Sequence, residues 1–322
     1  MKNKVLIITI ILLVALLSLS GCTQSAEEAK PEDEKPLIIA TLFPQYDFVR
    51  QVAVDKADVT LLLPPGVEPH SYEPTPRDIA NIKKADLFVY TGALMEPWAE
   101  RIIEAAQGTN LLIVDTSKGI ELMDEEDHHE HDHDYDHDHD EDHDHHDGKD
   151  PHFWLDPILA RLMVDHIVES LVEVDPDNEA YYRQNGEAYK QKLQELHEKI
   201  DSSLAVLENR TILYAGHFAF GYFAARYSLE HISPYEGFAP DAEPTPANIG
   251  ELIKRVNESN TKVIFYEELI DPKVARVVAE QTGAEMLLLH GAHNVTTEEL
   301  NSGVTYISIM EDNLAKLLKG LK

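Results

Sequence analysis

Residues 182–207 read YRQNGEAYKQKLQELHEKIDSSLAVL, and the apolar positions Tyr189, Leu193, Leu196, Ile200, Leu204 and Leu207 recur at steps of three and four. Residues so spaced share one face of an α-helix. The pattern predicts a single helix of about 30 residues, roughly 45 Å long at about 1.5 Å per residue. Upstream, Asp156-Pro157 and Asp175-Pro176 each place a capping aspartate before a proline at the first helical position, so both are read as helix starts. A rod of this length between two lobes limits hinge motion more than a pair of flexible crossovers would.

On both sides of the rod, short apolar runs alternate with helical patterns. Strands are expected at 37–42, 59–63, 87–91 and 111–114, with helices near 45–54, 76–84 and 97–106. After the rod, strands are expected at 212–215, 263–266 and 286–289, with helices near 217–227, 246–257, 272–282 and 308–319. Such alternation implies βα units, mainly parallel sheets and ligand sites at the carboxyl ends of strands. The fold class is therefore α/β, with an N-terminal lobe at 37–156, a helical bridge at 157–207 and a C-terminal lobe at 208–322.

The N-terminus carries Lys2 and Lys4, an apolar run at 5–17 and Leu19-Ser20-Gly21-Cys22. Residues 1–21 are read as a secretory signal ending in a lipobox, with Cys22 as the lipid attachment site. The apolar run is shorter than the about 20 residues of a membrane-spanning helix, so an extracytoplasmic, lipid-anchored protein is expected. Cys22 is the only cysteine, which rules out an internal disulfide and a thiolate metal site. Residues 22–36 are polar and aperiodic and are read as a tether. A formal net charge of −32 argues against nucleic acid and anionic surfaces and suits a cationic ligand.

Nine of the 17 histidines crowd into the low-complexity stretch 124–150, at 128, 129, 131, 133, 137, 139, 143, 145 and 146, interleaved with acids. Such a segment builds no core. It is expected to bind zinc, copper or nickel loosely, because no fixed geometry orders the ligands and protons compete for them. The scattered histidines separate by context. His166, His197 and His231 are read as surface or boundary residues. His70 follows a strand within a proline-stiffened loop, His152 precedes a capped helix, His217 follows a strand, and His290 ends one. Histidines from separate loops, roughly 65 to 80 residues apart, can converge in an inter-lobe cleft, and four-coordinate imidazole suits zinc.

The motifs Gly66-Val67-Glu68-Pro69-His70-Ser71-Tyr72-Glu73-Pro74, Asp150-Pro151-His152-Phe153-Trp154-Leu155-Asp156-Pro157 and Gly216-His217-Phe218-Ala219-Phe220-Gly221-Tyr222-Phe223, with an acid-rich stretch before the second, span most of the mature chain. They resemble the metal-binding lipoproteins of ATP-driven zinc and manganese importers, the cluster A-I solute-binding proteins. The resemblance implies two α/β lobes bridged by one long helix, ligands at His70, His152 and His217, and delivery to an integral-membrane permease. Manganese members resemble this chain but carry glutamate at the place of His217, so zinc is the implied ion. For the fourth ligand the family offers an aspartate, or a glutamate three residues later. Here His290 and His293 stand at those places. Either histidine, or water, completes the tetrahedron, and His293 is favoured. Phe218 replaces an aspartate frequent in the family, and Glu68, Glu73 and Asp156 are candidates to orient the imidazoles.

The expected function is the zinc-binding component of a high-affinity zinc importer: a monomer, not an enzyme, with zinc as its transported ligand. Two alternatives stand beside it. One is a surface adhesin or metal-storage lipoprotein whose working part is the histidine tract. The other is a secreted zinc hydrolase, although His129-Glu130-His131-Asp132-His133 lies in a biased repeat where it carries almost no weight, no helical pattern holds a His-Glu-x-x-His, and Gly-x-Ser-x-Gly is missing.

Overall fold

The computed structural model describes residues 35–124, 148–235, 244–260 and 262–322. The signal sequence, Cys22, the tether up to residue 34 and the nine tract histidines lie outside the described residues.

In the N-terminal lobe, strands β1 (Leu37–Ala40), β2 (Asp58–Leu61), β3 (Leu87–Tyr90) and β4 (Leu112–Asp115) alternate with α1 (Phe43–Ala53), α2 (Pro76–Ile82) and α3 (Ala99–Ala105). They form a parallel sheet in the order β2-β1-β3-β4. The bridge is α4 (Pro157–Val174) followed by α5 (Glu179–Leu204). Beyond it come β5 (Thr211–Leu213), α6 (Gly221–Arg226), β6 (Glu230–Ile232), α7 (Pro246–Glu258), β7 (Val263–Tyr266), α8 (Lys273–Thr282), β8 (Glu285–Leu288), α9 (Thr297–Ser302) and α10 (Tyr306–Gly320). Parallel pairs β5-β6 and β7-β8 are joined by a Tyr214–Phe265 bridge, with Ala215 N donating to Phe265 O at 2.8 Å. The C-terminal lobe thus repeats the order of the first. In each sheet the connection direction reverses beside the first strand, which opens a crevice at the carboxyl ends.

Successive strand residues point to opposite faces. Ile38, Leu87 and Val89 feed a core that also contains residues of the bridge and of the C-terminal lobe, while Ile39, Phe88 and Tyr90 pack outward under α2 and α3 with Ile82, Trp98 and Ile102. The second sheet divides likewise: Ile212 and Phe265 join the shared core, and Leu213 and Ile264 pack outward with Leu252 and Val256. Because one core runs through both lobes and the bridge, the described residues from 36 to 322 form one compact unit.

Helix α5 is 26 residues long, roughly 39 Å. Its buried stripe is Tyr182, Gly186, Tyr189, Leu193, Leu196, Ile200 and Leu204, set against α1, α4 and the C-terminal α10. At Gly186 a Cβ would lie 2.3 Å from Val168 Cγ2, so only glycine lets α4 and α5 approach this closely.

Asp156 caps α4 as expected, accepting from Ile158 N at 2.8 Å. Asp175-Pro176 behaves differently from the expectation. It opens a 3₁₀ turn, Pro176–Asn178, and the Asp175 carboxylate accepts from Tyr182 Oη at 2.5 Å and Asn178 Nδ2 at 2.8 Å rather than from a helical N–H. Helix α6 starts at Gly221, later than the apolar pattern suggested, and leaves residues 217–220 as a loop. Short α9 was not anticipated, since six residues carry no apolar period; its Thr296–Glu299 capping box is the signal that marks it. Among the described residues no helix is long and apolar enough to cross a membrane.

Candidate metal centre

Every candidate histidine is placed by a loop at the edge of the inter-lobe crevice. The loop after β2 is curled by the Glu68 carboxylate, which accepts from His70 N and Ser71 N at 2.9 Å each, and Trp98 Nε1 donates to Pro69 O at 3.2 Å. His152 immediately precedes a 3₁₀ turn, Phe153–Leu155, that leads into α4. His217 follows β5, and its N–H donates to Glu267 Oε1, just past β7, at 3.1 Å. His290 and His293 lie in the loop after β8. There a Cβ on Gly291 would sit 2.4 Å from His293 Cε1, so this glycine admits the ring that folds back over it.

Four of these five rings converge. Centroids are 5.5 Å apart for His70–His152, 5.8 Å for His70–His217, 6.2 Å for His70–His293, 5.0 Å for His152–His217, 5.1 Å for His152–His293 and 6.2 Å for His217–His293. One ligand nitrogen each from His70, His152 and His217 lies within 4.8 Å of the others. His290 is turned elsewhere. Its Nδ1 accepts from Ala292 N at 2.9 Å, its Nε2 faces Glu299 Oε1 at 3.7 Å, and Asn313 bonds its backbone N–H and carbonyl at 2.8 Å each.

A carboxylate stands behind three of the four rings. His152 Nδ1 lies 2.7 Å from Asp150 Oδ1, His217 Nδ1 3.3 Å from Glu267 Oε2, and His293 Nδ1 3.0 Å from Glu268 Oε1. A carboxylate at Nδ1 holds the ring proton there and leaves the lone pair on Nε2. The Nε2 atoms of His70, His217 and His293 are buried and have no hydrogen-bond partner among the described residues. Burying a polar atom without a partner costs about 1–3 kcal/mol. A cation among the four rings would remove that cost.

Electrostatics keep His70 and His152 in their ligand form. Burial, then the neighbouring His293 and His217, pushes His70 down to about 3, and burial with the same kind of neighbours holds His152 well below the usual histidine range. Burial by itself would raise Glu268, but His290 and His293 outweigh it and hold the carboxyl at about 2. A neutral imidazole backed by an ionised carboxylate is the state that donates to a metal.

The orienting acids are not those expected. Glu68 shapes backbone, Glu73 is exposed and pairs with Arg101 at 3.5 Å, and Asp156 caps α4 and pairs with Arg226 at 2.6 Å. Asp150, Glu267 and Glu268 take their place. Asp150 stands two residues before His152, and Glu267-Glu268 directly follow β7 at a carboxyl edge, and those positions were the available signals. Asp150 is fully buried, although it ends the stretch read as a histidine-rich loop; Lys149 pairs with Asp124 beside it. Phe218 stacks on His231 with centroids 3.7 Å apart, and His197 bonds Tyr227 at 3.1 Å.

Four convergent imidazoles at the crevice of a two-lobed α/β protein narrow the comparison with known proteins. The family described as zinc-uptake complex component A, periplasmic (ZnuA), matches residues 38–320. The chain belongs to this family. This zinc-uptake component is 39% identical over 307 residues to the high-affinity zinc uptake system protein ZnuA of Bacillus subtilis, covering 95% of this chain and 94% of that one. It is 33% identical over 311 residues to the zinc-binding lipoprotein AdcA of Streptococcus pneumoniae, covering 94% of this chain but only 60% of the longer AdcA. Among solved structures it is similar to the Zn(II)-bound ZnuA-like domain of Streptococcus pneumoniae AdcA, with a TM-score of 0.73 and 30% identity over 89% of this chain and 99% of that one. The zinc-uptake component shares the α/β architecture of that domain, and zinc is the ligand of its family.

Proposed function

We propose that the protein holds one zinc ion through the imidazoles of His70, His152, His217 and His293, and hands it to the integral-membrane permease of an ATP-driven importer. The convergence of four rings with every centroid pair between 5.0 and 6.2 Å carries this reading. Four nitrogen donors match the tetrahedral preference of zinc. His290, engaged by Ala292 and facing Glu299, serves the loop rather than the ion. On the same reading Cys22 carries the lipid that tethers a monomer to the membrane, residues 37–156 and 208–322 are the lobes, and 157–207 is the bridge.

Four protein ligands leave no position for a substrate-activating water, which favours a carrier over a hydrolase. His70 and His152 come from the first lobe and His217 and His293 from the second, so displacing either lobe on docking withdraws two ligands at once. Zinc retained unchanged in a docked complex would refute that release step.

The test is a calorimetric titration of zinc and manganese into metal-stripped protein lacking residues 1–22 and 125–147, a deletion that spares Asp150. One tight zinc site with weak manganese binding, abolished by His152→Ala or His217→Ala, is the expected result. No tight site would move the function into the histidine tract, as the adhesin or storage reading requires.

A further inference from the structure

The candidate ligands come from opposite lobes, and none lies on the long helix, so something else must fix the separation of His152 from His293. Asp47 on α1 is only 1% exposed. Its Oδ2 accepts from Tyr306 N at 2.9 Å, in the first turn of α10, and from Tyr189 Oη on α5 at 3.4 Å, while its Oδ1 accepts from Gln51 Nε2 at 3.1 Å. Phe48, the next residue, packs edge-on against Tyr306 at 5.0 Å and tilted against Tyr189 at 5.7 Å. One carboxylate therefore ties the N-terminal lobe, the bridge and the last helix of the C-terminal lobe.

From Tyr306 the chain of contacts reaches the site. Its hydroxyl donates to Trp154 O at 2.5 Å. The Trp154 indole N–H donates to Gly291 O at 2.9 Å, and its ring stands edge-on to His152 at 5.3 Å and to His293 at 5.4 Å. Trp154 thus spaces one candidate ligand from each lobe and holds the loop that carries the second. A buried carboxylate is costly unless donors satisfy it, and this one gathers three while also facing the positive end of α10.

We infer that Asp47 is a positioning residue of the zinc site: it seats Tyr306 so that the Tyr306 hydroxyl locks Trp154 between His152 and His293. The inference rests on the ligand reading above. Metal–ligand distances must hold within about 0.2 Å, and imidazoles on separate lobes have no common backbone to supply that precision.

Tyr306→Phe removes the hydroxyl and keeps the ring; Asp47→Ala removes the carboxylate. Zinc dissociation is timed by chelator competition, and the visible spectrum of the cobalt(II)-loaded mature protein reports coordination geometry. Both variants are expected to lose zinc about tenfold faster or more, as when an outer-shell partner is removed, and to shift and weaken the tetrahedral cobalt bands. Leu196→Ala, a buried residue of α5, should lower Tm while leaving both readouts unchanged. Parental zinc loss and cobalt spectra in Tyr306→Phe, with Tm lowered as in Leu196→Ala, would overturn the inference; should Asp47→Ala not fold, Tyr306→Phe alone decides. Unchanged zinc loss in His152→Ala and His293→Ala would overturn the ligand reading and this inference with it, a distinguishable result because the histidine variants then fail first.

Discussion

Replacing Glu96 by glutamine should stabilise the metal-free protein, and increasingly so as pH rises. Glu96 is fully buried past β3, at the crevice of the first sheet, beside the equally buried Thr41, Gln45 and Thr91. Its Oε2 accepts from Thr91 N at 2.5 Å, whereas its Oε1 and Gln45 Oε1 have no hydrogen-bond partner among the described residues. Burial pushes the carboxyl from the ordinary 4.5 up to about 7, against the pull of the Thr91 N–H. Below pH 4.5 both folded and unfolded chains hold the proton, so the group costs nothing. As pH rises from 4.5 to about 7 the unfolded chain releases its proton while the folded one retains it, so stability falls across that window and levels off above it. The rise corresponds to roughly 3 kcal/mol at most. Glutamine keeps the shape, its oxygen can take the Thr91 N–H, and its amide can donate to Gln45. Urea unfolding of both proteins at three pH values should show no difference near pH 4.5 and a gain of up to roughly 3 kcal/mol near pH 8. A difference that is constant with pH, or that reverses sign, would refute the reasoning.

Three further outcomes can be checked. A structural zinc site is worth about 10–16 kcal/mol over four ligands, so His293→Ala should weaken zinc binding by roughly 10²–10³-fold and His290→Ala by less than about tenfold; equal losses in calorimetry would contradict the geometry described for the two rings. Asp150→Asn and Glu268→Gln, which weaken the acids behind His152 and His293, should each cost about 10–100-fold in zinc affinity with the site still four-coordinate by X-ray absorption. Gly186→Ala brings a Cβ to 2.3 Å from Val168 Cγ2. Overpacking of this kind costs about 1–3 kcal/mol, more than the about 1 kcal/mol that alanine gains in helix propensity, so Tm should fall, and a rise would show that the two helices part freely.

Local patterning made most of the architecture legible. The stripe Tyr189, Leu193, Leu196, Ile200 and Leu204 is the buried face of α5, and the run at 263–266 coincides with β7, because a repeating apolar period reports one buried face whatever it packs against. Asp175-Pro176 shows the limit of local signals, since a carboxylate that meets Tyr182 Oη is drawn away from the helical N–H groups it would otherwise cap. Among the site residues, His70, His152 and His217 stood out by motif, and the structure brings them together.

Spatial assembly decided the rest. Between His290 and His293, both in one loop and both histidine, the choice depends on a turn at Gly291 and Ala292 that sends one ring to the cluster and the other toward Glu299. Likewise, Glu267 and Glu268 sit 50 and 25 residues from the histidines they back, and Asp47 lies 259 residues from Tyr306. The sequence by itself therefore determined which segments become strands and helices and which histidines are candidates, since those depend on neighbours a few residues apart. Which acids stand behind the rings, and which of the two loop histidines joins the ring cluster, were decided only in the tertiary structure, because partners so distant along the chain meet only when two sheets and a bridge share one core.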